Sequence, residues 1–344
     1  MKINNKKILI IGAGFFAQRV HIPTVKKFFK EKNIFLYDER LVLAKLVAKK
    51  FKINQFFSIS KKNLIENKIK LGLICYKRER SFYYSKKLLN YNLNLLCEKP
   101  VVLDHKNLKY LINLSNKKNK TFQVCYQKNY FNSVIFLKKN ILKLTKQYGK
   151  INQINFELFN GDMRFGKKSF CRTNEKLNNK EIEENNLKDV SKKNLINYKI
   201  FSNRYIHSIN LFHNLFPFLS KPKKINFKTI TKSNYYLSFL ISNINVSFFF
   251  GDYSYNLWHD RIVIFFQKAK VSLDMIAPLD FKNQSKLIIY DGIKKKNILI
   301  RLKKNNVFRD QFKSFIHDTK IKNRKAQFNI YLKDYNLLKD IWIK

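Results

Sequence analysis

The apolar residues of this chain fall in short runs, and the spacing of those runs changes character once along its length. Residues 7–12, KILIIG, form an uninterrupted apolar stretch closed by a glycine, the pattern of a strand buried on both faces. A second run, NIFLYDE, follows after one helix-length interval and ends at Asp38. The pattern then predicts helix over 41–51, a short element over 53–58, helix over 60–67, strand over 71–76, helix over 80–91 and strand over 93–97. Strands alternating with helices at this spacing specify a parallel, doubly wound sheet, in which ligands sit at the carboxyl ends of the strands.

From residue 149 onward the period shortens. KINQINFELFN, INFKTITK, YYLSFLI, INVSFFFG, RIVIFFQ, KVSLDM, KLIIYDG and NILIRLK read as eight strands, most of them joined by short turns, which predicts a large open, mostly antiparallel sheet. NRYIHSINLFHNLF, 203–216, has apolar residues at helical spacing and should lie beneath that sheet. Residues 166–199 are polar and weakly periodic, the signature of a mobile loop or lid. At 344 residues the chain exceeds the usual range of about 100–200 residues per domain. The expected division is an α/β domain over 1–125 and an α+β domain over 126–344, with 308–344 packing back on the first.

Charge alters this picture little. There are 70 Lys and Arg against 23 Asp and Glu, a net charge of +47, and such a field draws polyanions. The lysines, however, are scattered through every segment, and Gly (8) and Pro (5) are scarce, as when A/T-rich codons dominate. Nucleic-acid binding is therefore disfavoured, and a polyanion-binding protein is the weaker alternative. No apolar stretch reaches the roughly 18–20 residues of a membrane span, and Met1–Lys7 runs into a strand without a cleavage site, which predicts a cytoplasmic protein. Cys75, Cys97, Cys125 and Cys171 lack metal-ligand spacing, so reduced thiols and no metal are expected.

Two motifs carry chemistry. In GAGFFA, Gly12, Gly14 and Ala17 occupy the positions of the G-x-G-x-x-G/A turn: the first for the sharp turn, the second for close approach of a pyrophosphate, the third for helix-on-strand packing. Phe15 and Phe16 complete the cofactor-binding stretch. Asp38, at the end of the second strand, stands where a carboxylate accepts hydrogen bonds from the adenosine ribose, which favours NAD, while nearby Arg40 leaves NADP possible. The second motif is LLCEKPVV, 95–102, which puts Glu98, Lys99 and Pro100 at a strand's carboxyl end.

The nucleotide turn, the E-K-P strand end, a second strand-rich domain and the late segment FRDQFKSFIHD (308–318) together resemble the Gfo/Idh/MocA oxidoreductases, the glucose-fructose oxidoreductase and inositol dehydrogenase family. The resemblance implies an NAD(P)-dependent dehydrogenase or reductase acting on CH–OH groups of a sugar, cyclitol or nucleotide sugar, in a homodimer or homotetramer built on the open sheet face. It implies that Lys99 meets the substrate hydroxyl beside the nicotinamide, that Glu98 faces the cofactor and holds local geometry, and that Pro100 follows a cis peptide. It makes His207 the second catalytic residue, a general acid/base, and Asn203 a substrate contact. The family's D-x-x-x-H-x-x-D appears here with Asn203 and Asn210 in place of both aspartates, so a family member that binds cofactor with little or no turnover is the alternative. Tyr76 replaces the family's threonine after the fourth strand and is expected against the nicotinamide or ribose. Lys77, Arg78 and Arg80 form a basic cluster at the cleft edge, and Gln127, Lys128 and Asn129 replace an arginine-bearing segment. His213 is expected to be structural.

Overall fold

The computed structural model describes residues 6–342 except 77, 162–169, 178–189, 232, 254–257, 281–282 and 322–324. The chain opens with β1 (Lys7–Ile11) and the Gly12–Gly14 turn, then one π-helical turn (Ala17–His21) running into α1 (Ile22–Lys26). Pro23 is tolerated at the start of α1, where its missing N–H breaks little. There follow β2 (Ile34–Tyr37), α2 (Leu41–Phe51), β3 (Asn54–Gln55), α3 (Lys61–Glu66), β4 (Ile69–Ile74), α4 (Arg78–Asn90), β5 (Asn94–Cys97), α5 (His105–Lys117) and β6 (Phe122–Val124). Ser60 and Asp104 cap α3 and α5 by accepting the Asn63 and Asn107 N–H groups.

These six strands form a sheet in the order β3-β2-β1-β4-β5-β6, parallel throughout. The order reverses between β1 and β4, and the crevice at that switch point lies beside the Gly12 turn. Ile8, Ile10, Leu36, Leu71, Leu73 and Leu96 are buried in one core, as expected of a sheet covered on both faces. β4 ends at Ile74, two residues before the predicted end, which leaves Tyr76 on the following turn.

The second sheet is built from β7 (Ile151–Asn160), which follows α6 (Asn132–Tyr148), and from seven strands after α7 (Lys192–Leu215). Those are β8 (Lys223–Thr229), β9 (Tyr235–Ile241), β10 (Ile244–Asp252), β11 (Trp258–Phe266), β12 (Ala269–Asp274), β13 (Lys286–Asp291) and β14 (Lys296–Ile300). The order is β14-β13-β12-β11-β7-β10-β9-β8, antiparallel except for the central β7–β10 pair. Helices α8 (Val307–Asp318) and α9 (Lys325–Trp342) complete the chain. Two compact units result: 1–125 with 166–188 and 308–328, and 126–165 with 189–307 and 329–344. Phe312 and Phe315 of α8 join the core of the first unit.

The polar interval 166–199 is only partly a loop. Residues 192–199 already belong to α7, 170–177 form an extended segment, and the rest of the predicted lid lies outside the described residues. Tyr198 and Phe201, buried on α7, show why the helix starts early: its apolar stripe begins there.

α7 covers one face of the eight-stranded sheet through an aromatic layer. Phe156 and Phe248 stack at 4.7 Å with Phe212 edge-on above them, and Tyr205 stacks on Phe250 at 4.4 Å. Phe248→Ala should therefore lower unfolding stability by about 3–5 kcal/mol. Phe249, which points to the opposite face and is 38% exposed, should tolerate Ser within roughly 1 kcal/mol. Urea denaturation of the two variants checks the contrast.

Candidate active site

The nucleotide turn is shaped by two glycines with different duties. Gly12 has φ +99°, and a Cβ there would lie 3.0 Å from the Cys75 carbonyl carbon and 3.1 Å from the Tyr76 nitrogen, so no other residue fits. A Cβ on Gly14 would meet nothing within 4 Å. That is the open cradle a pyrophosphate needs beside the backbone, and the turn fits a dinucleotide. Ala17 is fully buried, while Phe16 is 36% exposed. Phe15 packs edge-on against Phe170 of the extended segment at 5.1 Å. Gln18 fastens that segment to the turn: its Nε2 donates to the Ala13 and Cys171 carbonyls, and its Oε1 accepts the Cys171 N–H.

Asp38 departs from expectation. It is fully buried, its Oδ2 accepts the Ala13 N–H at 2.7 Å and Arg40 Nη2 at 2.9 Å, and its Oδ1 accepts the Arg40 N–H and Nε, each at 2.9 Å. A carboxylate offers about four acceptor positions, and all four are taken within the protein. Asp38 thus holds the turn and Arg40 in place rather than presenting a free acceptor to a ribose. Its charge is neutralised by Arg40, so it sets no strong barrier to a 2′-phosphate. An anion does stand nearby: Glu175, in the extended segment, accepts the Val42 and Leu43 N–H groups at 3.0 and 2.9 Å at the start of α2. Desolvation pulls its carboxyl upward, but those two N–H groups hold it below the usual value. No sequence pattern marked Glu175, because a helix start capped from more than 130 residues away leaves no local motif.

At the end of β5 the ladder runs on, the Glu98 N–H donating to the Ile74 carbonyl and Cys125 to Cys97, both at 2.8 Å. Glu98 is clamped from two sides, Oε1 against His21 Nε2 at 2.6 Å and Oε2 accepting the Lys99 N–H at 3.1 Å. The Lys99–Pro100 peptide is cis. His21, which no local motif marks, is therefore the residue that fixes Glu98. Cys125 lies with this pair, the three ligand atoms within 4.8 Å of one another. Yet His21 and Glu98 touch more closely than the roughly 3.3 Å that separates two ligands on a tetrahedral zinc. Burial pushes the Cys125 thiol upward and the Cys97 thiol up to about 12, so both stay protonated.

Tyr76 turns inward. It is 6% exposed, stacks on Tyr84 at 5.3 Å, and its hydroxyl accepts the Glu39 N–H at 2.6 Å. Its ring is committed to packing, where a cofactor contact had been expected. The basic cluster likewise dissolves: Arg80 is buried and ion-paired to Glu39, and Lys77 lies outside the described residues.

In the second unit, α7 carries Asn203, exposed, and His207, 7% exposed, whose ring meets Tyr126 edge-on at 5.8 Å. Asn210 is buried and donates to Asp334 Oδ2 of α9 at 2.6 Å, while Asp334 Oδ1 contacts His213 Nδ1 at 2.7 Å. Asn129 closes the chain by donating to Asn210 Oδ1 at 2.8 Å. A carboxylate therefore does stand against Asn210, the residue one turn after His207, supplied by α9 instead of by position 210. Burial pushes Asp334 upward, with His213 and Asn210 pulling against it. His213, expected to be structural, is buried and anchored on that acid.

Residues 6–126 match the model of the Gfo/Idh/MocA family, an oxidoreductase family with an NAD-binding Rossmann fold. The resemblance drawn from the sequence stands over that stretch. Among solved structures the chain is similar to UDP-N-acetylglucosamine 3-dehydrogenase from Acidithiobacillus ferrooxidans (TM-score 0.73, 14% identity, 99% of this chain and 97% of that one). It is similar also to the aldose-aldose oxidoreductase from Caulobacter crescentus (0.73, 13%, 99% and 97%), and to a 3-ketoreductase from Actinomadura kijaniata solved with NADP (0.71, 9%, 98% and 96%). At these identities the likeness establishes the fold over the whole chain. No curated protein matches by sequence.

The two glycines should separate binding from folding. Gly14→Val is expected to leave the melting temperature of the free protein nearly unchanged and to abolish NADH binding, followed by nicotinamide fluorescence. Gly12→Ala, strained at positive φ and against the β4 end, should lower the melting temperature itself.

Proposed function

We propose that the protein is an NAD(P)-dependent oxidoreductase acting on a carbinol carbon of a sugar, cyclitol or nucleotide sugar. The observation that carries this reading is the end of β5: a lysine beside the switch-point crevice, following a glutamate that His21 and the lysine's own N–H hold in one orientation. Bound NAD(P) supplies the hydride acceptor or donor. Lys99 supplies an ammonium that stabilises the charge developing on the substrate oxygen, and His207 takes or returns that oxygen's proton. Asn203 contacts the substrate from the exposed side of α7. The relatives support the substrate class through what they act on, UDP-N-acetylglucosamine and aldoses among them. The open face of the large sheet, where Phe249 and Tyr290 are exposed, suits assembly into a homo-oligomer.

A second reading, cofactor binding without turnover, draws on Asn203 and Asn210 in place of the family's aspartates. Asp334 weakens it, since the buried acid lost at one position is restored from another helix.

On the redox reading, Lys99→Ala lowers kcat/KM for an identified substrate by about 10²–10⁴-fold with NADH affinity retained. An unchanged rate would remove Lys99 from the chemistry. The anion at the start of α2 predicts a preference for NADH over NADPH that rests on Glu175, so Glu175→Ala should narrow the ratio of the two dissociation constants. An unaltered ratio in fluorescence titrations would return cofactor choice to other residues.

A further inference from the structure

Helix α6 begins without a cap of its own. Phe131 stands in the capping position with no side-chain oxygen to offer the first N–H groups, and no acidic residue lies in the first turn. The loop between β14 and α8 supplies part of what is missing. Asn305 Oδ1 accepts the Asn132 N–H at 3.2 Å and Asn305 Nδ2 donates to the Tyr130 carbonyl at 2.6 Å, while Asn132 Nδ2 donates to the Lys303 carbonyl at 2.6 Å. These bonds latch residues 303–305 onto the start of the helix. The Phe131 N–H turns back to the Lys128 carbonyl and the Ile135 N–H to the Phe131 carbonyl. Among the described residues, the N–H groups this helix end leaves open are therefore those of Ser133 and Val134.

The latch forms one wall of a pocket that Ser133, Ser285, Lys303 and Lys304 line, all within the second unit. Ser133 is 3% exposed, and its Oγ has no hydrogen-bond partner among the described residues; the Ser285 Oγ is buried and lacks one too. The side chains of Lys303 and Lys304 are exposed. No carboxylate lines the pocket among the described residues. The nearest acids along the chain are committed elsewhere, Asp280 to the Asn283 N–H and Nδ2 at 3.0 and 2.7 Å, and Asp274 to Arg261.

A buried hydroxyl without a partner is destabilising, and native folds complete nearly all of them. Here every group on offer can donate: two hydroxyls, two N–H groups at the positive end of a 17-residue helix, and the lysine ammonium groups. An anion answers such a set, and one with more oxygens than the two of a carboxylate answers it best.

We infer that the start of α6, with Ser133, Ser285 and Lys303, is a binding site for a phosphate group. The site draws on atoms of the second unit alone, so it stands whether or not the protein turns over a sugar. Inorganic phosphate, a sugar phosphate and the diphosphate of a nucleotide sugar present the same oxygens, and binding separates them.

The test is calorimetric titration of the whole chain, at fixed ionic strength, with inorganic phosphate, glucose 6-phosphate and UDP-glucose. Phosphate is expected to bind saturably at a single site. Ser133→Ala should weaken that binding at least about tenfold. Because the substitution removes an unmet buried hydroxyl, it should not lower the melting temperature of the free protein, which separates a lost contact from a lost fold. Lys303→Gln should weaken binding severalfold, whereas Lys45→Gln, the same change of charge at an exposed position of α2, should leave it unaltered. If glucose 6-phosphate or UDP-glucose binds at least about tenfold more tightly than phosphate and loses that affinity in Ser133→Ala, the site stands and its ligand is the tighter ester. Binding of both esters no tighter than phosphate supports the site with free phosphate as the ligand. Failure of phosphate to saturate overturns the site. So does equal affinity in Ser133→Ala and the parent, which is the attraction of a basic surface for any anion.

Discussion

A carboxylate with no access to water must be neutralised where it stands, and the nucleotide site takes its form from how this is done at Asp38. The Ala13 N–H orients the turn that Gly12 makes possible, and Arg40 closes the other side. Turn, end of β2 and start of α2 thereby become one unit held around a single buried charge. The acidic residue that a fingerprint reading assigns to the ribose is here the keystone of the turn. The same logic governs the end of β5, where Glu98 is held by His21 and by the following N–H, so that Lys99 departs from a fixed point.

The second unit meets the opposite constraint. Its large sheet and α7 share a buried aromatic layer, and the polar groups considered next pair across elements. Each such group is stabilised by a partner from another element: Arg204 of α7 by Asp252 of β10, Lys128 by Asp260 of β11, Asn210 and His213 by Asp334 of α9. His207 lies among them on the same helix, one turn after Arg204 and just short of Asn210. On the proposed redox reading, that packed helix is what holds the histidine in place for proton transfer.

The two sheets were legible in the sequence because each writes its own period. Apolar runs separated by helix-length intervals give the parallel sheet; apolar segments following one another through short turns give the mixed one. All eight later strands and the parallel character of the first sheet follow from that; its strand order and β6 do not. The motifs were legible where the chemistry is local, in Gly12, Gly14 and Ala17 and in Glu98, Lys99 and Pro100. Contacts between distant segments were not. Glu175 caps a helix 133 residues earlier, Asp334 meets Asn210 from 124 residues away, and His21 meets Glu98 from 77. Tyr76 went inward for a similar reason. β4 stopped two residues early, and the ring found Tyr84 before it could face a ligand.

The lopsided charge of the chain sharpens rather than blurs this reading. In a sequence of 70 basic and 23 acidic residues, exposed carboxylates are readily replaced at little energetic cost. Buried ones are not: removing a paired acid strands its partner in a medium of low polarity. Asp38, Asp260, Asp291 and Asp334 are the buried acids among the described residues, and each is bound to a named partner: Arg40, Lys128, Tyr148 and His213. Three of the four stand at the nucleotide turn, at the polar end of the sheet or beside the helix of His207. In a chain saturated with lysine, the aspartates that persist inside mark the places where structure and chemistry coincide.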